Sequence, residues 1–294
     1  VSAVVKFWGC RGSIPTPGPR TEKYGGNTAC VEIRVDDTLI ICDGGTGLRE
    51  LGLDLEKHGH RDRVGHMFFS HAHWDHIQGF PFFKPVYVPG NAFCVYTAAP
   101  GATDMYALLS GQMRSDYFPV NLKDLRADIA TRTLSGAGDQ IGAVTVRSFE
   151  LYHPGTSYAL SFEMYGHKVV YATDNEIDLT LPNREEVAKD LSPLRAVPRG
   201  FLEFIRGADL LVADGQYTDA EYTDKIGWGH SRATTAVDAA VLAGVEQLAV
   251  YHHDPMQSDA DVDAKIRTCQ ERALRFGSPL SVLGAREGLA LRIG

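Results

Sequence analysis

The stretch FFSHAHWDHIQGF, residues 68–80, sets His71, His73, Asp75 and His76 directly behind a short apolar run. Few sequence features restrict a fold more. The run VGHMFF just before it has the composition of a strand, and the chain then turns at Gly79 and Pro81. The four polar residues therefore belong at the C-terminal edge of a sheet, where α/β folds place their sites. In such a turn His71 and His73 point the same way while Asp75 and His76 open the next element, so one loop can serve two neighbouring metal ions. Imidazole and carboxylate suit zinc first, and also manganese or iron in a mixed nitrogen and oxygen site. The plain alternative is a polar loop rich in histidine by chance, each ring capping a carbonyl. Four ligating side chains at this spacing weigh against it.

Other apolar, β-branched runs, each bounded by turn formers, recur at 3–8, 29–35, 38–42, 64–69, 144–152, 157–164, 168–172, 209–213 and 247–251, and predict strands. Helical periodicity is clearest at 47–57, 231–243 and 259–275, with Ser231 and Ser258 as expected N-caps. The alternation predicts a layered α/β fold. Segment 178–206 interrupts the rhythm with three prolines and a run of charges, which predicts an inserted group of short helices rather than a core element. No repeat or linker divides the chain, so residues 1–294 read as a single domain.

Composition narrows the function classes. With 44% hydrophobic residues, 22% charged residues and a formal charge of −8, the chain can bury a sizeable core and offers no basic field to a long polyanion. Extended nucleic acid is a poor expected partner. No apolar run is long enough for a membrane span, and no signal-peptide pattern is evident. Five scattered cysteines without a CxxC pair argue against a disulfide framework and point to a reducing cytoplasm.

Further ligand types close other predicted strands: His153 after VTVRSFELY, Asp174 after KVVYAT, and His252 and His253 after QLAVY. Any one of these is an ordinary turn former, whereas their joint placement is not. Here the sequence resembles the metallo-β-lactamase superfamily, whose hallmark is HxHxDH followed by a lone His, a lone Asp and a final His. The resemblance runs from FWGC to YHHDP and implies a four-layer αββα sandwich. Carried over by position, it implies one metal on His71, His73 and His153 and a second on Asp75, His76 and His252, with Asp174 and a hydroxide between them. Of the two adjacent histidines the family pattern favours His252, and strand alternation then turns His253 away. Asp43 in CDGGTG matches an aspartate that steadies the HxHxDH loop by hydrogen bonds; an ordinary Asp-Gly turn is the equal alternative. His58, His60, His66 and His167 lack a motif and read as surface or structural.

DLLVADGQY at 209–217 and GWGHSRATTAVDAA at 227–240 are similar to the ribonuclease Z and cyclic-nucleotide phosphodiesterase branch. That branch implies His230 as a proton donor and Asp214 as the acid that orients it. The pairing is chemically sensible, because a departing alkoxide leaves poorly unless protonated. A helix N-terminus beside His230 would lower its proton affinity, and a carboxylate would raise it again.

The Gly- and Pro-rich loop 9–28, with Arg11, Arg20 and Lys23, is either a phosphate cradle or a solvated connection. Trp74, Phe80, Phe82, Phe83, Tyr217 and Trp228 either stack a base or fill the core. The protruding Gly- and Lys-rich arm with which ribonuclease Z grips transfer RNA has no counterpart. The expected substrate is therefore a small phosphodiester, a cyclic nucleotide or cyclic phosphate, cleaved by a dinuclear metal-dependent hydrolase. The rivals are a transfer-RNA 3′-processing endonuclease, a thioester, lactone or lactam hydrolase on the same fold, and a non-catalytic nucleotide-binding protein. Segments 178–206 and 100–135 are candidates for a lid or a dimer contact, a symmetric homodimer being the commonest assembly.

Overall fold

Buried and half-exposed side chains alternate strictly along Ala3–Gly9, the signature of a strand with one face in a core. The computed structural model describes residues 2–57, 64–102 and 104–294; His58 and His60 lie outside the described residues. Fourteen strands are present among them: β1 (Ala3–Gly9), β2 (Cys30–Val35), β3 (Thr38–Cys42), β4 (Val64–Phe68), β5 (Ala92–Thr97), β6 (Asp128–Thr133), β7 (Asp139–Ile141), β8 (Val144–Leu151), β9 (Ser157–Met164), β10 (His167–Ala172), β11 (Leu210–Asp214), β12 (Gln247–Tyr251), β13 (Ser281–Gly284) and β14 (Ala290–Ile293). They form two seven-stranded sheets, ordered β14-β1-β2-β3-β4-β5-β6 and β13-β12-β11-β10-β9-β8-β7. The chain divides into two compact units, one of residues 1–147 and 286–294 and the other of residues 148–285.

In the first unit β3, β4, β5 and β6 run parallel, with Cys42 level with Phe68 and Phe68 level with Tyr96. Helix Gly47–Lys57 turns Leu48, Leu51 and Leu55 inward, into an apolar cluster that includes Ile41, Met67, Phe83 and Phe93. β5 and β6 are strands beyond those expected from sequence. β6 has no buried apolar face, so the period-2 signal is missing. The 100–135 stretch otherwise supplies helix Met105–Gln112, capped by the Asp104 carboxylate.

In the second unit β10, β11, β12 and β13 are parallel. All five residues of β11 are buried, as befits a central parallel strand covered on both faces. The register aligns Ala172 with Ala213 and Asp214 with Tyr251. Three neighbouring strands thus stop at one level, and whatever follows them is brought side by side.

Ser258 caps helix Asp259–Arg275 through a reciprocal capping box with Asp261, as expected. Ser231 does not cap its helix. The helix starts at Ala233 with Arg232 as N-cap, and the Ser231 hydroxyl instead donates to the Asn175 carbonyl and accepts from the Ile177 N–H. A distant carboxylate serves the helix start: Asp178 accepts from the Arg232 N–H at 3.0 Å and from the Thr235 hydroxyl at 2.8 Å.

Segment 178–206 does form short helices, Ile177–Thr180, Arg184–Val187 and Arg199–Ile205, but it is fastened to the core by buried charge. Arg195, only 1% exposed, donates to Asp238 at 2.9 Å, Asp219 at 3.0 Å and Thr234 at 3.1 Å. Arg272 grips the same Asp238 and donates to the carbonyls of Leu191 and Pro193, both at 2.8 Å. Removing one member of a buried ion network leaves the others desolvated and uncompensated. Asp238→Ala should therefore cost about 3–5 kcal/mol, measured as a lowered urea midpoint; a midpoint like that of the native chain would show that the clamp contributes nothing to stability.

Candidate metal centre

The first unit holds a histidine-rich cluster organised around one buried carboxylate. Asp43 follows β3 in the left-handed region, at φ 62°, a conformation that Asp and Asn tolerate better than most side chains. Its N–H donates to the Phe68 carbonyl. Its carboxylate accepts from the Ser70 N–H at 2.7 Å, the Ser70 hydroxyl at 2.8 Å and His76 Nδ1 at 2.7 Å. Because the acceptor is a carboxylate, His76 carries a proton on Nδ1 and turns Nε2 the other way. The Ser70 hydroxyl proton is committed to Asp43, so His71 Nδ1, 3.0 Å from Ser70 Oγ, is a donor as well. His71 and His76 thus both donate from Nδ1, an arrangement imposed by a shared neighbour. Their ring centres are 4.2 Å apart, and those of His71 and His73 are 4.6 Å apart. Asp75 Oδ2 stands 3.2 Å from His76 Nε2 and accepts from the Ser13 N–H at 2.7 Å.

That last bond explains loop 9–28. Ser13, at φ 64°, aims a backbone donor at a ligand candidate, which the sequence reading missed. Arg11 is completely buried and its Nε donates to the Gly25 carbonyl at 2.9 Å. The nearby cavity of about 280 Å³ includes Glu22 and Glu287 in its lining, an unfavourable pair for an anion. The phosphate-cradle alternative for this loop is not supported.

The second unit has a set of ligand-type side chains of its own at the level strand ends. Asp174, beyond β10 at φ 52°, and His252, beyond β12 at φ 59°, are again left-handed. The two oxygens of Asp174 face two different imidazoles: Oδ1 is 3.3 Å from His252 Nε2 and Oδ2 is 3.8 Å from His153 Nε2. His252 Nδ1 donates to Gln216 Oε1 at 2.8 Å, and His153 Nδ1 donates to the Gly229 carbonyl at 2.8 Å. Both rings therefore turn Nε2 toward Asp174. A carboxylate whose two oxygens meet separate imidazoles has the donor types to hold a divalent cation on either side, and the hydrogen bonds behind each ring fix its orientation. His253 points elsewhere, its Nε2 2.9 Å from the Ala285 carbonyl.

His230 Nδ1 donates to Asp214 Oδ2 at 2.7 Å and lies 3.9 Å from Asp174 Oδ2. Ligand-type atoms of Asp174, Asp214, His230 and His252 all fall within 4.8 Å of one another. Asp214 is held by the N–H groups of Gln216 at 3.0 Å and Asn175 at 3.3 Å. Gln216 lies inside the DLLVADGQY stretch but was not singled out there, and Glu176 had no sequence motif to announce it. The aromatics divide: Trp74, Phe82 and Trp228 are exposed, whereas Phe80, Phe83 and Tyr217 are core. His66 pairs with the Tyr96 hydroxyl at 3.0 Å, and burial lowers its proton affinity; His167 pairs with Asp209 at 2.6 Å. Both are structural, as expected.

Against known families, residues 38–253 match the model of the beta-lactamase superfamily domain. The chain belongs to that superfamily. A ribonuclease Z of Synechococcus sp. (strain WH7803) is 24% identical, with 85% of each chain covered. Among solved structures, the metallo-beta-lactamase fold protein YhfI of Bacillus subtilis superposes with a TM-score of 0.68 at 18% identity, covering 99% of both chains. A diphosphatase of the PhnP family gives 0.66 at 15% identity, covering 98% of this chain and 97% of the other. The fold expected from the HxHxDH resemblance is thereby met. This superfamily member is a hydrolase, and its His and Asp clusters have the donor set of a dinuclear metal enzyme. Among the described residues no helix is long and apolar enough to cross a membrane.

Two outcomes follow from these bonds. Asp43→Asn keeps the shape but loses a charge-assisted acceptor for His76, so zinc affinity should fall about 10- to 100-fold in a chelator competition; undiminished affinity would remove Asp43 from the centre's support. Lys265 is buried and donates to the Gln216 carbonyl at 3.0 Å and Gln257 at 2.8 Å. Burial lowers its pKa from 10.5 to about 8, so above the unfolded value the native state is relieved of a buried charge, and this relief is lost as pH falls through 8. Relative to Lys265→Met, the native chain should gain stability of the order of 3 kcal/mol between pH 8 and 10.5. Parallel stability curves over that window would contradict it.

Proposed function

We propose that this hydrolase is a phosphodiesterase acting on a small phosphodiester, a cyclic nucleotide or other cyclic phosphate. The observation that carries the reading is the His230–Asp214 pair, 2.7 Å apart and beside Asp174. Hydrolysis of a lactam or thioester has no need of a dedicated donor there. In this reading His71, His73 and His153 would hold one divalent cation and Asp75, His76 and His252 the other, with Asp174 available to either. Zinc is the first choice for this donor set, with manganese or iron as alternatives. Bound there, two such ions supply an activated water and neutralise phosphate charge.

The chain's own residues do the rest. Asp214 takes the Nδ1 proton of His230 as its hydrogen-bond partner and so stabilises the imidazolium form. His230 then gives its Nε2 proton to the departing alkoxide and leaves as a neutral ring. The formal charge of −8, which offers no basic field to a long polyanion, supports a small substrate, and five free thiols agree with a cytoplasmic home. We further propose that residues 1–294 act as a single catalytic domain.

The ribonuclease Z relatives support a second reading, cleavage of a transfer-RNA precursor. Protein stripped of metal and reloaded with zinc or manganese should hydrolyse 3′,5′-cyclic AMP or 2′,3′-cyclic AMP, and neither precursor transfer RNA nor nitrocefin. His230→Ala should lower cyclic-phosphate turnover about 10²- to 10⁴-fold. Cleavage of the transfer RNA alone would transfer the assignment to the second reading, and full turnover by His230→Ala would remove the proton-donor role.

A further inference from the structure

Glu176 is completely buried, a costly place for a carboxylate unless several donors compensate it. Its Oε1 accepts from the Tyr222 hydroxyl at 2.8 Å and the Gly227 N–H at 2.7 Å, and its Oε2 accepts from the Gly229 N–H at 2.7 Å. Two of its three donors are thus backbone groups of the loop Gly227-Trp228-Gly229. That loop has two outputs. The Gly229 carbonyl receives the Nδ1 proton of His153, and the next residue along the chain is His230. Gly229 has φ 91°, and a Cβ placed on it would lie 2.3 Å from His153 Nδ1. Contact between backbone and ring is therefore intimate enough for a small displacement of the loop to turn the imidazole.

We infer that Glu176 is a positioning residue that sets the proposed metal ligand His153 and the proposed proton donor His230 together, by clamping the N–H of Gly229, the residue whose carbonyl holds His153 and which directly precedes His230. The inference rests on the phosphodiesterase reading for the role of His230, but not for the orientation of His153. A carboxylate is needed because two glycine N–H groups approach different oxygens. In glutamine one of those oxygens becomes an NH₂ group, and one glycine faces a donor instead of an acceptor.

The test uses the full chain, with Glu176→Gln read three ways. Zinc affinity, by competition with a chromogenic chelator, should fall about 10- to 100-fold. At saturating zinc, hydrolysis of 3′,5′-cyclic AMP, whose alkoxide needs a proton, should drop at least about tenfold more than hydrolysis of bis(p-nitrophenyl) phosphate, whose phenolate does not. The melting temperature of the metal-free protein reports simple destabilisation. Native zinc affinity with equal losses on both esters would overturn the inference and leave Glu176 as structural support. Should the glutamine variant fail to fold, Glu176→Asp, which keeps the charge and shortens its reach, is read the same way. If the native chain cleaves neither ester, the phosphodiesterase reading fails, while the zinc arm still decides whether Glu176 governs His153.

Discussion

Buried carboxylates saturated by N–H donors are the interaction on which the rest of this protein depends. Asp43, Asp214 and Glu176 are each buried, and each accepts from backbone N–H groups; those held by Asp43 and Glu176 lie directly beside candidate histidines, His71 and His230. Asp43 and Asp214 also take the Nδ1 proton of an imidazole directly, and Glu176 does so at one remove, through the Gly229 carbonyl. The common result is a set of rings whose Nδ1 side is fixed by a protein acceptor and whose Nε2 side is thereby turned the other way. Burial strengthens such bonds and makes an unpaired partner expensive, so these acids both hold the loops and orient the rings.

The sheets contribute register. Parallel strands joined through helices return to the same edge, and the alignment of Asp214 with Tyr251 and of Ala172 with Ala213 delivers Asp174, Asp214 and His252 to one level. Where the strand ends, a left-handed residue turns the chain sharply and projects a side chain over the edge. Asp43, Asp174 and His252 all do this. Backbone geometry and ligand placement are therefore one problem solved at the same three positions.

Much of this was legible in the sequence, for a physical reason: strands with one buried face alternate visibly, and ligands that must converge sit where strands stop. The HxHxDH loop, His153, Asp174 and His252 carried that signal. Residues acting through other residues did not. Gln216 and Glu176 are remote in sequence from the rings they govern, and neither residue type is distinctive outside its three-dimensional setting. Ser231 misled for the opposite reason, since a serine before a helical pattern has the form of a cap, while its hydroxyl is drawn off to Asn175 and Ile177. The strand β6 escaped because it lacks an apolar face, and β13 and β14, at four residues each, are too short to show a period. Arg11 looked like an anion donor because composition does not reveal that a guanidinium is turned inward.

The left-handed strand ends also bound how this chain can diverge. Asp, Asn, His and Gly enter that region at modest cost, whereas β-branched side chains are strongly disfavoured there. A descendant that abandoned metal binding would be released from the chemistry at positions 43, 174 and 252 but not from the geometry. Asn or Gly at those sites would mark a former centre long after its histidine loop had drifted, giving a record of ancestry written in backbone conformation instead of in ligands.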